Sequence, residues 1–361
     1  MAKLLKDLYN ESYIKLLTTN IKKYFESFDE VSFSNTIFND TWESLELKER
    51  MRHISVTLRA YLPDNYISAL GILKSTSSHL CLDYGLENII FQDFVEVFGL
   101  DEFDSSIDAL EHFTKTSSSE FAIRQFILKY PDETMGVMKK WASNENEHVR
   151  RLSCEGCRSR LPWAVALPKF KKDPTKVLEI LGILQDDKSE YVRKSVANNI
   201  NDISKDNPNI VISLVQKWIG QTVLKDKMLK HGARTLLKQS DTRILSLFGY
   251  KKIDDIQIID FEVSSNVRMG EELEFSFSLT SQQGSGKVRV EYILEFVRLR
   301  EKTSKKVFMI AEGNCQSKIK QFAKKYSFKP ITTRKYYSGT HNIYIIVNGE
   351  ELASKSFELI D

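Results

Sequence analysis

Through most of the first 250 residues, apolar side chains recur every three or four positions, the spacing that lines one side of an α-helix. IKLLTTNIKKYFESF and WESLELKERMRHISVTLRAYL both carry it, and Pro63 closes the second. From Ser117 the helices become repetitive. SSSEFAIRQFILKY leads to Pro131, which suits the first turn of the helix in DETMGVMKKWAS. NENEHVRRLSCEGCR predicts another helix, with Asn144 or Asn146 available as its cap. After the loop RLPWAV, Asp173 can cap DPTKVLEILGILQ, with Pro174 in the first turn. DKSEYVRKSVANNINDIS then repeats the opening of the earlier arginine-bearing helix. Arg150 and Arg193 are 43 residues apart and Arg234 lies 41 further on, a period that fits a HEAT-like helical solenoid. Such helix pairs bury their apolar sides against their neighbours and curve into a concave surface.

Near Asp255 the period changes from helical to alternating. IQIIDFEVSS, LEFSFSLTS, KVRVEYILEFVRLR, KVFMIAEG, RKYYSGTHNIYIIVNG and LASKSFELI are strand-like runs set off by Gly, Asn or Ser turns. About seven short strands over roughly 105 residues predict an immunoglobulin-like β-sandwich. The expected fold is therefore multidomain α plus β, with a HEAT-like α-solenoid over residues 1–255 and an immunoglobulin-like domain over 256–361.

Composition excludes a disordered chain: of 361 residues 42% are hydrophobic, with 21 Phe and 14 Tyr against 7 Pro and 15 Gly. Net charge is only +3, but it is unevenly spread: −9 over residues 1–120, +9 over 121–255 and +3 over 256–361. A basic middle beside an acidic flank predicts that one face binds a polyanion. Residues 301–335 hold ten Lys or Arg against two acids, which suggests a second binding edge. The acids of DEFDSSIDALEHF are expected on a solvated face. No apolar run approaches 18 residues and MAKLLKDLYN lacks a secretory core, so a cytoplasmic, reducing location is expected.

Cys154 and Cys157 form a CxxC pair, while Cys81 and Cys315 stand apart. No further pair or suitably spaced His completes a metal set, so small core side chains on a helix are the simpler reading. Neither a metal nor a cofactor is expected. SGTHN and QGSG lack the context of a phosphate loop, and no HExxH, serine elbow or Cys-His pair occurs.

The segment HVRRLSCEGCRSRLPW, residues 148–163, gathers four arginines, Glu155 and Trp163. Acids on a surface that grips phosphate would weaken affinity, so Glu120, Glu155 and Asp202 need a purpose. They either pair with repeat arginines or act on an electron-poor sugar carbon. Four-residue spacing puts Arg151 and Glu155 on one helix side, and likewise Asn198 and Asp202. Asp202 also falls near the end of its helix, where the dipole does not favour a carboxylate. Each repeat arginine can brace neighbouring repeats or point to phosphate. Trp163 can stack on a base or plug a gap between repeats, whereas Trp42, Trp141 and Trp218 look like packing residues. His148, His231 and His341 are isolated, though His231 adjoins Lys230 and lies near Arg234.

SSEFAIRQF, HVRRLSCEGCRSRLPWA, EYVRKSVANNINDISKDNP and KHGARTLLK resemble the motifs of AlkC-type DNA alkylation repair glycosylases. TTRKYYSGTHNIYIIVNG is similar to that family's late strands, and the C-terminal sandwich favours this branch over the AlkD type. The resemblance implies a monofunctional DNA glycosylase. It would hydrolyse the bond from deoxyribose to a cationic alkylated base, N3-methyladenine or N3-methylcytosine, in duplex DNA. The damaged nucleotide stays stacked in a bent duplex, and an abasic site is left.

By the same resemblance Glu120, Glu155, Trp163 and Asp202 face the lesion. Asp202 would take the electrostatic and water-positioning role, with Glu155 adjoining it and Glu120 shaping the cavity. Arg150, Arg151, Arg158, Arg193 and Arg234 would clamp phosphates or brace those that do. Lys230, His231, Arg334 and Lys335 complete the expected DNA-binding set. The expected partner is alkylated double-stranded DNA, met by a monomer that needs no obligate protein partner and associates with the nucleoid during repair. The alternative is a noncatalytic HEAT-repeat scaffold for nucleic acid or protein.

Overall fold

Helical periodicity becomes a two-row stack of helices in the first part of the chain, and strand alternation becomes two sheets at its end. The computed structural model describes residues 4–80, 85–251, 254–281, 286–315, 318–331 and 334–361, without the side chains of 301 and 315. Cys81, the Cys315 side chain and residues 283–285 and 332–333 lie outside the described set. Contacts divide the chain into two compact units, Met1–Asn207 with Val223–Gly232, and Pro208–Thr222 with Ala233–Asp361.

In the first unit, the helices Glu147–Glu155, Glu190–Ser204 and Val223–Gly232 pack side by side as one row. Pro131–Trp141 and Thr175–Leu184 pack as the row behind. Val149, Leu152, Val192, Val196 and Ile200 are fully buried between them, which is where the apolar positions at three- and four-residue spacing go. Asn146, not Asn144, caps the arginine helix, its Oδ1 accepting from the amides of His148 at 2.9 Å and Val149 at 3.4 Å. Pro131 takes the first helical position as expected. Asp173 accepts from the Thr175 amide at 3.0 Å, but Pro174 occupies the cap position itself and the helix starts at Thr175.

The periodic arginines repeat one geometry. Arg150 Nη1 donates to the carbonyls of Asn144 at 2.9 Å and Glu145 at 2.8 Å. Arg193 Nη1 donates to those of Asp187 at 2.7 Å and Lys188 at 2.9 Å, the same six- and five-residue offsets. Each arginine thus ties the loop entering its own helix. Arg150 also forms a two-pronged pair with Asp187, at 2.6 and 3.0 Å, which joins consecutive repeats. Of the two roles open to Arg150, the structure gives it bracing: its side chain is 8% exposed and that of Asp187 5%. Arg234 opens the helix Arg234–Lys238, which belongs to the second unit.

The second unit is a sandwich with helices attached. Strands β1 (Gln257–Val263), β2 (Asn266–Arg268), β3 (Glu272–Thr280), β4 (Gly286–Val297), β5 (Thr303–Cys315), β6 (Ile319–Ser327), β7 (Gly339–Val347) and β8 (Glu350–Ile360) form two sheets. Their orders are β1-β3-β6 and β2-β8-β7-β4-β5. Leu273, Phe275, Phe277 and Leu279 of β3 face Val288, Val290, Leu294, Ile343 and Ile345 of the other sheet in one core.

The change of pattern at residue 255 is not where this unit begins. Helix Thr242–Leu247 and the segment after it are fastened to the sandwich. Asn348 and Gly349 turn β7 into β8 with φ of 48° and 86°, both in the left-handed region a two-residue hairpin needs. A Cβ on Gly349 would come within 2.5 Å of Leu245 Cδ1, so only glycine lets the hairpin approach that closely. Asn348 Nδ2 donates to the Lys251 carbonyl at 2.7 Å, and Lys287 Nζ donates to that of Phe248 at 2.6 Å.

Removing one partner of a buried, hydrogen-bonded ion pair costs about 3–5 kcal/mol. Arg150→Met is therefore expected to lower the denaturant midpoint of the helical unit clearly. The salt dependence of DNA binding by the folded fraction should stay unchanged, because no phosphate contact is lost. A variant as stable as the parent, with a shallower salt slope, would assign Arg150 to phosphate instead.

Candidate active site

Glu147–Glu155 and Glu190–Ser204 lie together in the first unit, and their facing sides carry alternating charges. Arg151, one turn before Glu155, bonds Glu120 through Nη1 and donates to Ser118 Oγ at 2.7 Å. Its Nη2 lies 3.5 Å from Glu155 Oε1. Arg158 donates to Glu155 Oε1 at 2.5 Å and, through Nε, to Asp202 Oδ2 at 2.9 Å. Lys205 reaches Asp202 Oδ1 at 3.1 Å, and Ser195 Oγ donates to Glu155 Oε2 at 2.6 Å. The result is a ladder: Glu120, Arg151, Glu155, Arg158, Asp202, Lys205. Its acids and bases cancel, which is what permits Glu155 and Asp202 to be 4% and 2% exposed.

The ladder also fixes the arginines as cations. Burial opposes the charge on Arg158, but Glu155 and Asp202 outweigh it and its pKa ends above the ordinary guanidinium value. For Arg151, Glu120 and Glu155 likewise overcome burial. Arg151 also lies over the Tyr191 ring, 5.1 Å from its centroid.

Beside the ladder is an open cavity of about 560 Å³, with Glu120, Arg151, Glu155 and Arg158 along one side. Phe121, Leu161, Pro162 and Trp163 supply an apolar wall; Tyr191 and His148 are set edge to face at 5.7 Å. Trp163 is 66% exposed, so it does not plug a gap between repeats. Trp42, Trp141 and Trp218 are buried, in keeping with packing roles. Acidic groups, a flat ring and an accessible hollow share one place, with the guanidinium groups of Arg151 and Arg158 beside the acids.

Glu120, Glu155 and Trp163 line this cavity, while Asp202 does not. The sequence reading placed Asp202 at the reacting atoms with Glu155 adjoining. In the structure Arg158 bridges the two carboxylates and Asp202 sits one ion pair further on. Ser195, Ser118, Lys205 and Tyr191 went unnoticed. Ser195 is two helical turns before Asp202, so a same-face search from that acid would have found it.

Other expected site residues lie elsewhere. Arg193 and His231 line a second hollow with Lys194, Lys227 and Asn198, where His231 Nε2 is 3.3 Å from Asn198 Oδ1. Lys230 is half-buried on the same helix. In the sandwich, Arg334 is stacked 4.8 Å from the Phe296 ring centroid and donates to the Tyr326 hydroxyl at 2.8 Å, so aromatic packing engages it. Lys335 is exposed beside Tyr337. His341 is buried, stacked on Phe357, with Nε2 2.9 Å from the Tyr337 carbonyl, and therefore packs inside the fold. Cys154 and Cys157 are buried, and burial pushes both thiols up, Cys157 to about 12. They pack against Asn199, whose Nδ2 donates to the Cys154 carbonyl at 2.9 Å. Asp101, Glu102, Asp104 and Asp108 of the acidic stretch are exposed, but Glu111 accepts from Trp141 Nε1 at 2.7 Å and Asn144 Nδ2 at 3.1 Å, which joins it to the helix stack.

Known proteins match both parts of the chain. A family model described as DNA alkylation repair enzyme matches residues 100–236, and one described as the C-terminal Ig-like domain of uncharacterised protein YhaZ matches 257–361. The uncharacterized protein YhaZ of Bacillus subtilis (strain 168) is 43% identical over 357 residues, 98% of this chain and 99% of that protein. The structure of Pseudomonas fluorescens alkylpurine DNA glycosylase AlkC, bound to DNA containing an abasic site analog, is similar along its whole length. It has a TM-score of 0.94 and 33% identity, with 99% of this chain and 100% of that one covered. With its whole length matched in fold and a third of its residues identical, this chain belongs to the AlkC family of the AlkC/AlkD superfamily.

Proposed function

We propose that the protein is a DNA glycosylase that removes cationic alkylated bases, N3-methyladenine and N3-methylcytosine, from duplex DNA and leaves an abasic site. The observation that carries this reading is the Glu155 carboxylate, held at an open cavity by Arg158 and Ser195 opposite the exposed ring of Trp163. The likeness to AlkC supports the substrate class. In this reading the nucleotide stays in a bent duplex, and the reaction takes place in the cytoplasm at the nucleoid.

The chemistry follows from charge. An alkylated base is already cationic, so when the C1′–N bond breaks its electron pair neutralises the departing base. No strong general acid is needed. Positive charge moves to the sugar as an oxocarbenium-like species, and a fixed carboxylate stabilises that state more than the ground state. Each Glu155 oxygen accepts one hydrogen bond in the structure and keeps a lone pair for a water or for the developing charge. Water then adds to C1′ and loses its proton to a carboxylate or to solvent. Glu155 takes the position nearest the sugar, Glu120 borders the cavity, and Asp202 acts through Arg158. Trp163 packs beside the deoxyribose or the lesion, and the half-buried Arg151 and the buried Arg158 keep the carboxylates aimed.

Phosphate binding is assigned to basic side chains, among them the exposed Lys227 and Lys335, together with His231, Arg193, Arg234 and Lys230. Exposed Lys320 and Lys324 place part of the basic edge read at 301–335 on β6.

Purified protein incubated with methylated duplex should release free N3-methyladenine and N3-methylcytosine. Glu155→Gln is expected to slow single-turnover release by about 10²–10³-fold, the range for a lost electrostatic stabiliser at a reacting centre. Asp202→Asn should cost less, on the order of tenfold, because it displaces Arg158 without removing the carboxylate at the cavity. Duplex affinity should persist in both. The reverse order would return Asp202 to the reacting atoms, and salt-dependent binding with no base release by the parent protein would leave the scaffold reading.

The β6 assignment has its own measurement. Each phosphate contact contributes about 0.9 to the slope of log affinity against log salt, so K320E/K324E should flatten it by about 2. An unchanged slope would remove this strand from the DNA interface.

A further inference from the structure

Arg124 is fully buried, and no carboxylate is among its hydrogen-bond partners. Its Nε donates to the Val165 carbonyl at 2.7 Å, and Nη1 donates to the carbonyls of Gly156 at 2.9 Å and Arg158 at 2.7 Å. Nη2 has no partner among the described residues. Burial pulls the pKa down to about 10, with Arg158 pulling the same way, so the group is still a cation near neutrality. For stability alone, a buried charge held only by backbone carbonyls is a poor use of the space.

The identity of those carbonyls gives the arginine a purpose. Gly156 and Arg158 precede Trp163 and Val165 follows it, so one guanidinium spans both limbs of the loop that ends in the exposed ring. Leu167 donates its amide to the Ser159 carbonyl at 3.2 Å and closes the base of the same loop. On the far side Lys48 Nζ donates to the Trp163 carbonyl at 2.8 Å and lies 5.0 Å from the Phe121 ring centroid. Trp163 itself has φ of 62°, a left-handed conformation that a bulky residue keeps only when its surroundings impose it. A Cβ at Gly156 would come within 2.6 Å of Ile123 Cγ2, so the glycine lets the loop's first limb lie close to the helix bearing Arg124.

We propose that Arg124 is a positioning residue for base release: it holds the Trp163 loop across both limbs, with Lys48 as a second, surface tether. This inference rests on the glycosylase reading. Neither residue touches the nucleotide; both act through the aim of Trp163 and Arg158. A lysine at 124 keeps the charge but not the planar fork, so it cannot serve both limbs at these angles.

The test uses the full-length protein with R124K and K48M. Trp163 is the only exposed tryptophan of the four, so iodide quenching of fluorescence in the DNA-free protein reports its loop directly. Both variants should change that quenching, and both should lower the single-turnover rate of N3-methyladenine release with duplex affinity kept. Reductions of about tenfold or more for R124K and severalfold for K48M are expected, since a displacement of about 1 Å can remove 10²-fold. Because the two act on one loop, the double variant should lose less than the product of the single effects. A folded R124K with parental quenching and parental rate overturns the proposal. If R124K does not fold, a parental rate and quenching in K48M, whose residue is exposed, overturn it equally. A parent protein that releases no base fails the glycosylase reading, while the quenching result still decides whether the loop is held as described.

Discussion

Burying carboxylates in a stack of helices is costly unless each meets a cation or other hydrogen-bond donors, and this requirement organises the site. The carboxylates of Glu155 and Asp202 are almost wholly inside the protein, yet each has a guanidinium at hydrogen-bond distance. Isolated, either would cost several kcal/mol in lost hydration. Arranged as a ladder they are held at fixed angles by Arg158, Ser195 and Lys205. Apolar side chains of similar volume would stabilise neighbouring repeats as well or better. What they could not supply is a preoriented negative group beside a hollow. Because the orientation is set before any ligand arrives, little reorganisation is left for the moment when charge develops on the sugar.

Rigid helices and a constrained loop divide the work. The helices carry the acids and bases, whose placement follows from three- and four-residue spacing along each helix and from contact between neighbours in a row. The loop after the arginine helix carries the large aromatic ring, exposed to solvent on backbone that its neighbours hold in place. Hydrogen bonds from two different helices hold that loop, one at its limbs and one at its tip. The apolar half of the site thus comes from irregular chain made firm by neighbours, and the ionic half from regular structure.

Much of this was legible in the sequence. The switch from helical to alternating period placed the sandwich, and the spacing of Arg150 and Arg193 identified a structural repeat, since both make the same pair of backbone bonds. Motif resemblance brought Glu120, Glu155 and Trp163 to one cavity. The depth of Asp202 was not legible, because spacing along one helix says nothing of a side chain from another segment that comes to stand beside it. Arg158 does so. The true boundary of packing was likewise not legible: helix Thr242–Leu247 reads like its predecessors, yet Leu245 lies against Gly349 and the Phe248 carbonyl accepts from Lys287, which ties it to the strands. Arg124 escaped because its partners are carbonyls, which have no signature in a sequence.

Residues of one type have separate duties here, and burial sorts them. Residues 121–255 are basic as a whole, yet the motif arginines within them are largely spent inside the protein. Arg150 answers Asp187, Arg151 and Arg158 answer the ladder acids, and Arg160 answers Asp206. What remains facing solvent in the first unit is chiefly lysine: Lys169, Lys172, Lys188 and Lys227 are all exposed. A lysine is a mobile point charge and can follow a backbone whose path changes as it bends, whereas a guanidinium fork fixes one geometry. On the proposed assignment, salt-sensitive attraction of a polyanion and the aiming of carboxylates fall to different cations, so affinity and chemistry could be altered independently.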